Sequence, residues 1–154
     1  MNAAALPAGF DWAPLIPELV VSDIEASLAF WRDLLGFCVV YERPEERFAF
    51  LDLEGAQIML EERNSEARQW ITGTLEGPFG RGINFQIEIA DLSPPVGRLR
   101  EKGWPLYMDV EEKWYRAGLI EAGVRQCVVQ DPDGYLVRLS QPLGRRPIAT
   151  DSQT

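Results

Sequence analysis

The stretch VVSDIEASLAFWRDLLGF, Val20 to Phe37, decides the fold, because a short apolar run passes straight into a helical pattern with its own start and stop signals. Ile24, Leu28, Trp31 and Leu35 recur at the spacing of one helix face. Ser22 followed three residues later by Glu25 reads as a capping box, and Gly36 as the stop. Upstream, LIPELVVSD reads as a strand. Downstream, FCVVYE, RFAFLDL and QIMLEE are three more strand candidates, parted by turn residues. The order is β-α-β-β-β.

The second half repeats it. INFQIEIAD is a strand, PPVGRLREKG a helix with prolines at its start and Gly103 at its end, and PLYMDV, RQCVVQD and YLVRLSQ are three further strands. A shift of 68 lays Val21, Asp23, Ile24, Leu28 and Trp31 on Ile89, Asp91, Leu92, Val96 and Leu99; a shift of 79 lays LEGAQIML on PDGYLVRL. The reading is therefore an α+β chain of two repeated βαβββ units, residues 14–63 and 83–143, joined by a Gly-rich and charged linker at 64–82 and followed by a flexible tail at 144–154. Neither unit can bury a sheet face alone, so the expectation is two cupped sheets sharing one domain.

Composition narrows the chemistry. The chain has 154 residues, enough to bury about two-thirds of its unfolded surface. It has no apolar run of membrane-spanning length, and no basic start with an apolar core, so a cytoplasmic location without membrane contact is expected. The formal charge of −9 repels nucleic acid and would attract a cationic partner. Cys38 and Cys127 each sit in an apolar run and read as two buried thiols. There are no histidines, which removes the Ser-His and Cys-His nucleophile pairs and every His-containing metal triad together.

VVSDIEASLAFWRDLLGF near the start and DPDGYLVRL near the end, spanning roughly residues 14 to 143, resemble the vicinal-oxygen-chelate superfamily of glyoxalases, extradiol dioxygenases and bleomycin-resistance proteins. The resemblance implies that a metal, where present, is held from the first and last strand of each unit. Those places fall at Ile16, Met59, Asn84 and Arg138, a set with two apolar side chains, one amide and one permanent cation. No metal, cofactor or catalytic residue is therefore assigned. The endings VRQCVVQDPDG and YLVRLSQPLG look like the bleomycin-resistance branch. That resemblance implies a homodimer sequestering a small molecule, such as a cationic or planar antibiotic, in clefts lined by aromatic and acidic groups. The alternative is a glyoxalase- or dioxygenase-type enzyme with a divalent metal on Glu18, Glu61 or Glu88.

Candidate site residues follow. Phe30 and Trp31 are read as core and kept out of the site. Phe48 and Phe50 alternate with Ala49 and Leu51, so both rings share one sheet face, either core or cleft. Met59 and Arg138 should point into the two cups, with Glu61 and Asn84 close by. Arg138 either pairs with Glu61 or Glu88 or waits for an anionic group on a ligand. Trp104, Tyr107, Trp114 and Tyr115 read as loop aromatics clustered beside Asp109, Glu111 and Glu112, a surface for stacking a flat ligand or for covering by a dimer contact.

Overall fold

A computed structural model describes residues 5–149. The first unit is β1 (Glu18–Val21), α1 (Ile24–Leu28), β2 (Cys38–Arg43), β3 (Phe48–Leu53) and β4 (Ala56–Glu62). The second is β5 (Asn84–Glu88), α2 (Ser93–Lys102), β6 (Leu106–Ala117), β7 (Ile120–Gln130) and β8 (Leu136–Pro147). Each forms a four-stranded mixed sheet of the same topology, β1-β4-β3-β2 and β5-β8-β7-β6, with the first strand parallel to the last. The two repeated βαβββ units are thus present.

Local chemistry explains the elements. The α1 cap is Asp23 and not Ser22: its Oδ1 accepts from the amides of Glu25 at 2.9 Å and Ala26 at 3.3 Å. A carboxylate at this position satisfies two amides that a helix start leaves free. Beyond Leu28 the helix widens into a π-type stretch, Ala29–Leu34, in which Leu35 N–H reaches back to Phe30 O at 3.0 Å. Gly36, at φ 97°, then turns the chain away. α2 starts on its prolines and ends at Gly103, as its sequence predicts.

One core serves both units. Leu19, Val21, Leu28 and Trp31 of the first unit bury together with Ile87, Leu99, Val129 and Leu139 of the second. The helices meet there, with Arg98 Nε donating to Leu34 O at 2.8 Å. Phe30 and Trp31 are fully buried in this core, as expected. The turn DPDG (131–134) locks onto the opening of the first unit: Trp31 Nε1 donates to Asp131 Oδ2 at 3.1 Å, and Ser22 N–H to Asp133 Oδ2 at 3.0 Å. The two stretches that carry the sequence resemblance therefore touch each other across the core.

Three expectations are corrected. PLYMDV is a strand, as expected, but the residues after it are not a loop: β6 runs on, paired with β7 from Leu106 to Ala117, and takes in Tyr107, Trp114 and Tyr115. Because β6 and β7 run on as a long hairpin, β8 has a partner past residue 143 and continues through Pro147, where a tail is expected. Residues 150–154 of that tail lie outside the described residues. Cys127 is buried, but Cys38 is exposed at the start of β2. β2 is an edge strand, and the fold leaves its outer side uncovered.

Candidate ligand site in the second cup

Strand alternation gives each sheet a face turned away from the helices. In the first sheet that face carries Phe48 and Phe50 of β3 and Met59 and Glu61 of β4, since Ala49, Leu51, Ile58 and Leu60 belong to the core. The chain itself covers the Phe48 and Phe50 side of this cup, leaving Met59 and Glu61 half-buried. Phe10 stands edge-on to Phe50 with centroids 5.9 Å apart, Tyr41 stacks on Phe50 at 5.0 Å, and the Arg43 guanidinium lies 3.8 Å over the Phe48 ring. Gln57 fastens the covering segment, accepting from Ala13 N–H at 2.6 Å and donating to Asp11 O at 2.8 Å. Phe50 is left 1% exposed. No sequence signal announces this cover, because residues 7–13 have no periodicity.

In the second sheet the corresponding face is open. Asn84 of β5, Tyr107 and Tyr115 of β6, Gln126 and Val128 of β7, and Arg138 of β8 line a cavity of about 330 Å³, with Met108 and Leu136 completing its walls. Asn84 and Arg138, which the resemblance assigns to the first and last strand of this unit, both line it. Gln126 is buried at its wall, donating from Nε2 to the Tyr115 phenol at 2.6 Å and to Glu111 Oε1 at 2.9 Å. Gln126 is a wall residue that sequence reading missed, as it sits in an apolar run with no motif.

Arg138 pairs with neither Glu61 nor Glu88. Its Nη2 donates to Gln86 Oε1, it makes no ion pair among the described residues, and its Nε is shut from solvent without a hydrogen-bond partner. Gln86 is its Cα partner on β5, and a neutral amide is what the register places there.

The remaining aromatics do not cluster. Trp104 packs on Phe30 at 5.2 Å and donates Nε1 to Gln130 O at 2.9 Å. Trp114 lies across the hairpin on Gly123, where a Cβ would stand 2.7 Å from the ring, with the Arg146 guanidinium 4.1 Å over its other side. A larger hollow of about 610 Å³ beside Trp104, Pro105 and Pro132 adjoins the second cup and shares Tyr107 with it, and its acidic wall, Asp131, is already committed to Trp31 and to the amides of Asp133 and Tyr135.

The superfamily's metal positions do not fit a metal. Met59 and Ile16 belong to the first unit, where the Met59 N–H donates to Pro17 O at 2.9 Å; neither side chain is a ligand for a hard cation. Asn84 and Arg138 in the second cup offer one amide and a cation. Of the carboxylates Glu18, Glu61 and Glu88, the first two face each other, and Glu18 is raised above its usual carboxylate range by partial desolvation first and the Glu61 charge second. Glu88 does not join them: no group of three or more His, Cys, Asp or Glu side chains able to hold a metal occurs among the described residues.

Comparison with known proteins agrees with this architecture. The sequence profile of the Glyoxalase/Bleomycin resistance protein/Dioxygenase superfamily matches residues 14–139. The chain belongs to this superfamily. A superfamily member from Vibrio splendidus 12B01 is 39% identical over 82% of this chain and 95% of its own, at a TM-score of 0.38. TioX from Micromonospora sp. ML1 is 19% identical, covering 85% of this chain and 99% of its own at a TM-score of 0.66. Lactoylglutathione lyase from Agrobacterium tumefaciens is 17% identical, covering 84% and 92% at 0.53. The last two show a shared glyoxalase/bleomycin-resistance fold and no more. No curated protein matches. No helix among the described residues is long and apolar enough to cross a membrane.

Proposed function

We propose that this superfamily member is a metal-free small-molecule-binding protein of the bleomycin-resistance kind, which sequesters a planar, antibiotic-like ligand in its second cup without turning it over. The observation that carries the reading is the contrast between the cups. One is plugged by Phe10 and Gln57, while the other is open, walled by Met108, Val128 and Leu136 and rimmed by Tyr107 and Tyr115. Apolar walls of this kind contribute about 25 cal/mol per Å² of ligand surface buried, and tyrosine rims suit flat rings. The proposal includes a homodimer in which a second copy covers the open side of the cup, where Tyr107 is 68% exposed.

A thermal-shift screen tests it, with planar and cationic glycopeptide antibiotics in one arm and Mg²⁺, Mn²⁺ and Zn²⁺ in the other, on the wild type and on Val128→Trp, which fills the cup. A ligand at 100 times its Kd stabilises by about 2.7 kcal/mol. The reading expects a shift with a planar drug that Val128→Trp abolishes. A shift with metals alone supports the enzyme reading instead, and a drug shift untouched by Val128→Trp moves the site elsewhere. Sedimentation of the purified chain as a monomer, with and without drug, removes the dimer.

A further inference from the structure

We infer that the second cup is built for a carboxylate carried on a planar apolar scaffold, with Arg138 as the group that recognises it; this rests on the reading of that cup as the ligand site. The starting point is the state of the guanidinium. An arginine half-buried in a protein normally meets a carboxylate, because leaving its donors unpaired away from water is costly. Among the described residues Arg138 has only the Gln86 side-chain oxygen, a neutral acceptor, and its Nε has no partner. The same sheet carries acidic residues, Glu88 on the adjacent β5 and Glu111 on β6 beyond β7, yet Glu111 is engaged by Gln126 and neither forms an ion pair with Arg138.

The rest of the cavity agrees. The Tyr115 oxygen already accepts from Gln126, so its own hydrogen is left to donate, and the Asn84 amide adds a further donor on the same wall. Opposite this donor set stand Met108, Val128 and Leu136. A single planar guanidinium matches one carboxylate through two parallel hydrogen bonds. A phosphate dianion would bring a second charge with no cation in the cavity to meet it. The chain's overall negative charge does not oppose this, since exposed charges more than about 8 Å away are largely screened at physiological salt.

The test is titration calorimetry with three isosteric probes, 2-naphthoate, 2-naphthamide and 2-naphthylmethylammonium, on wild type, Arg138→Lys, Arg138→Gln and Val128→Trp, with each variant's unfolding midpoint recorded as a check on folding. The inference expects 2-naphthoate to bind at least tenfold more tightly than either other probe. Arg138→Gln should abolish that preference while leaving 2-naphthamide within twofold. Arg138→Lys, which keeps the charge and loses the fork, should give an intermediate value. Added salt should weaken 2-naphthoate alone.

A naphthamide or ammonium probe that binds wild type as tightly as 2-naphthoate, or a preference that survives Arg138→Gln, overturns the inference. If Val128→Trp still blocks that binding, the cup remains the ligand site and only the carboxylate claim falls. Binding of 2-naphthoate that ignores Val128→Trp takes both away. No binding of any probe at millimolar concentration also overturns the inference, leaving the cup to the drug screen.

Discussion

The Tyr135 phenol donates to the Val20 carbonyl oxygen at 2.9 Å and so ties the closing turn of the second unit to the first strand of the first, across 115 residues of chain. Burial first, then the charges of Asp131 and Asp133, push this phenol up to about 12. Tyr135→Phe leaves the Val20 oxygen without its partner and should cost about 1–3 kcal/mol in urea unfolding. The phenol also predicts an alkaline signature. An unfolded tyrosine releases its proton near pH 10, so between about 10 and 12 the folded chain holds more protons and stability falls as pH rises. That segment of the pH curve should flatten in Tyr135→Phe; an unchanged curve would rule out Tyr135 as its source.

Asp131 predicts the acid side. Its carboxyl is pushed up to about 6 by burial, against the opposing effect of the Tyr135 and Asp133 amides and the Trp31 indole that hydrogen-bond it. Folded Asp131 therefore binds a proton more readily than the unfolded residue, and its contribution is fully present below about pH 4 and lost as pH rises through 6. A rise of two units is worth roughly 3 kcal/mol. Urea midpoints at pH 4, 5, 6 and 7 should show this decline in wild type and lose it in Asp131→Asn, whatever that variant's absolute cost. A decline of equal size in both chains would assign it to other groups.

The two thiols should separate cleanly. Cys38 is exposed on an edge strand, whereas Cys127 is buried and its thiol is pushed up to about 11. Iodoacetamide at pH 8 should label one thiol per native chain and two after unfolding, and Cys38→Ser should take up none until unfolded, since the thiolate is the reactive form. Native labelling of Cys127 would mean that the core opens at β7 far more often than its packing implies.

The plug over the first cup hangs on Gln57. Gln57→Ala removes the bonds to Ala13 and Asp11 and should free residues 7–13, with chymotryptic cleavage after Phe10 or Trp12 at least tenfold faster, since tenfold is about 1.4 kcal/mol of lost docking. Dye binding to the uncovered Phe50 should rise with it. Equal cleavage rates in both chains would show that Phe10, and not Gln57, holds the segment.

Much of this molecule was legible in its residues, because the signals were periodic and local. The stripe from Ile24 to Leu35 marked a helix, though the cap belongs to Asp23, one residue beyond the Ser22 that the capping-box pattern selects. The alternation around Phe48 and Phe50 placed both rings on one face. The resemblance assigned Asn84 and Arg138 to the first and last strand of the second unit, and both line one cavity. Reading failed where strand length decides the outcome. WYRAG looks like loop, yet β6 and β7 pair through it, and this pairing separates Trp114 from Tyr107 and carries β8 past residue 143.

By itself the sequence determined the order of elements, the repeat, and a donor set that cannot hold the superfamily's metal, since side-chain spacing and chemistry are properties of the chain alone. Only the tertiary structure decided that Phe10 closes one cup, that Gln126 walls the other, and that Arg138 meets Gln86 instead of a carboxylate. The last two outcomes depend on which strands become neighbours and in what register, and a one-residue change of register would have turned Gln126 and Arg138 to the opposite face, whereas Phe10 reaches its cup from a segment outside the sheets.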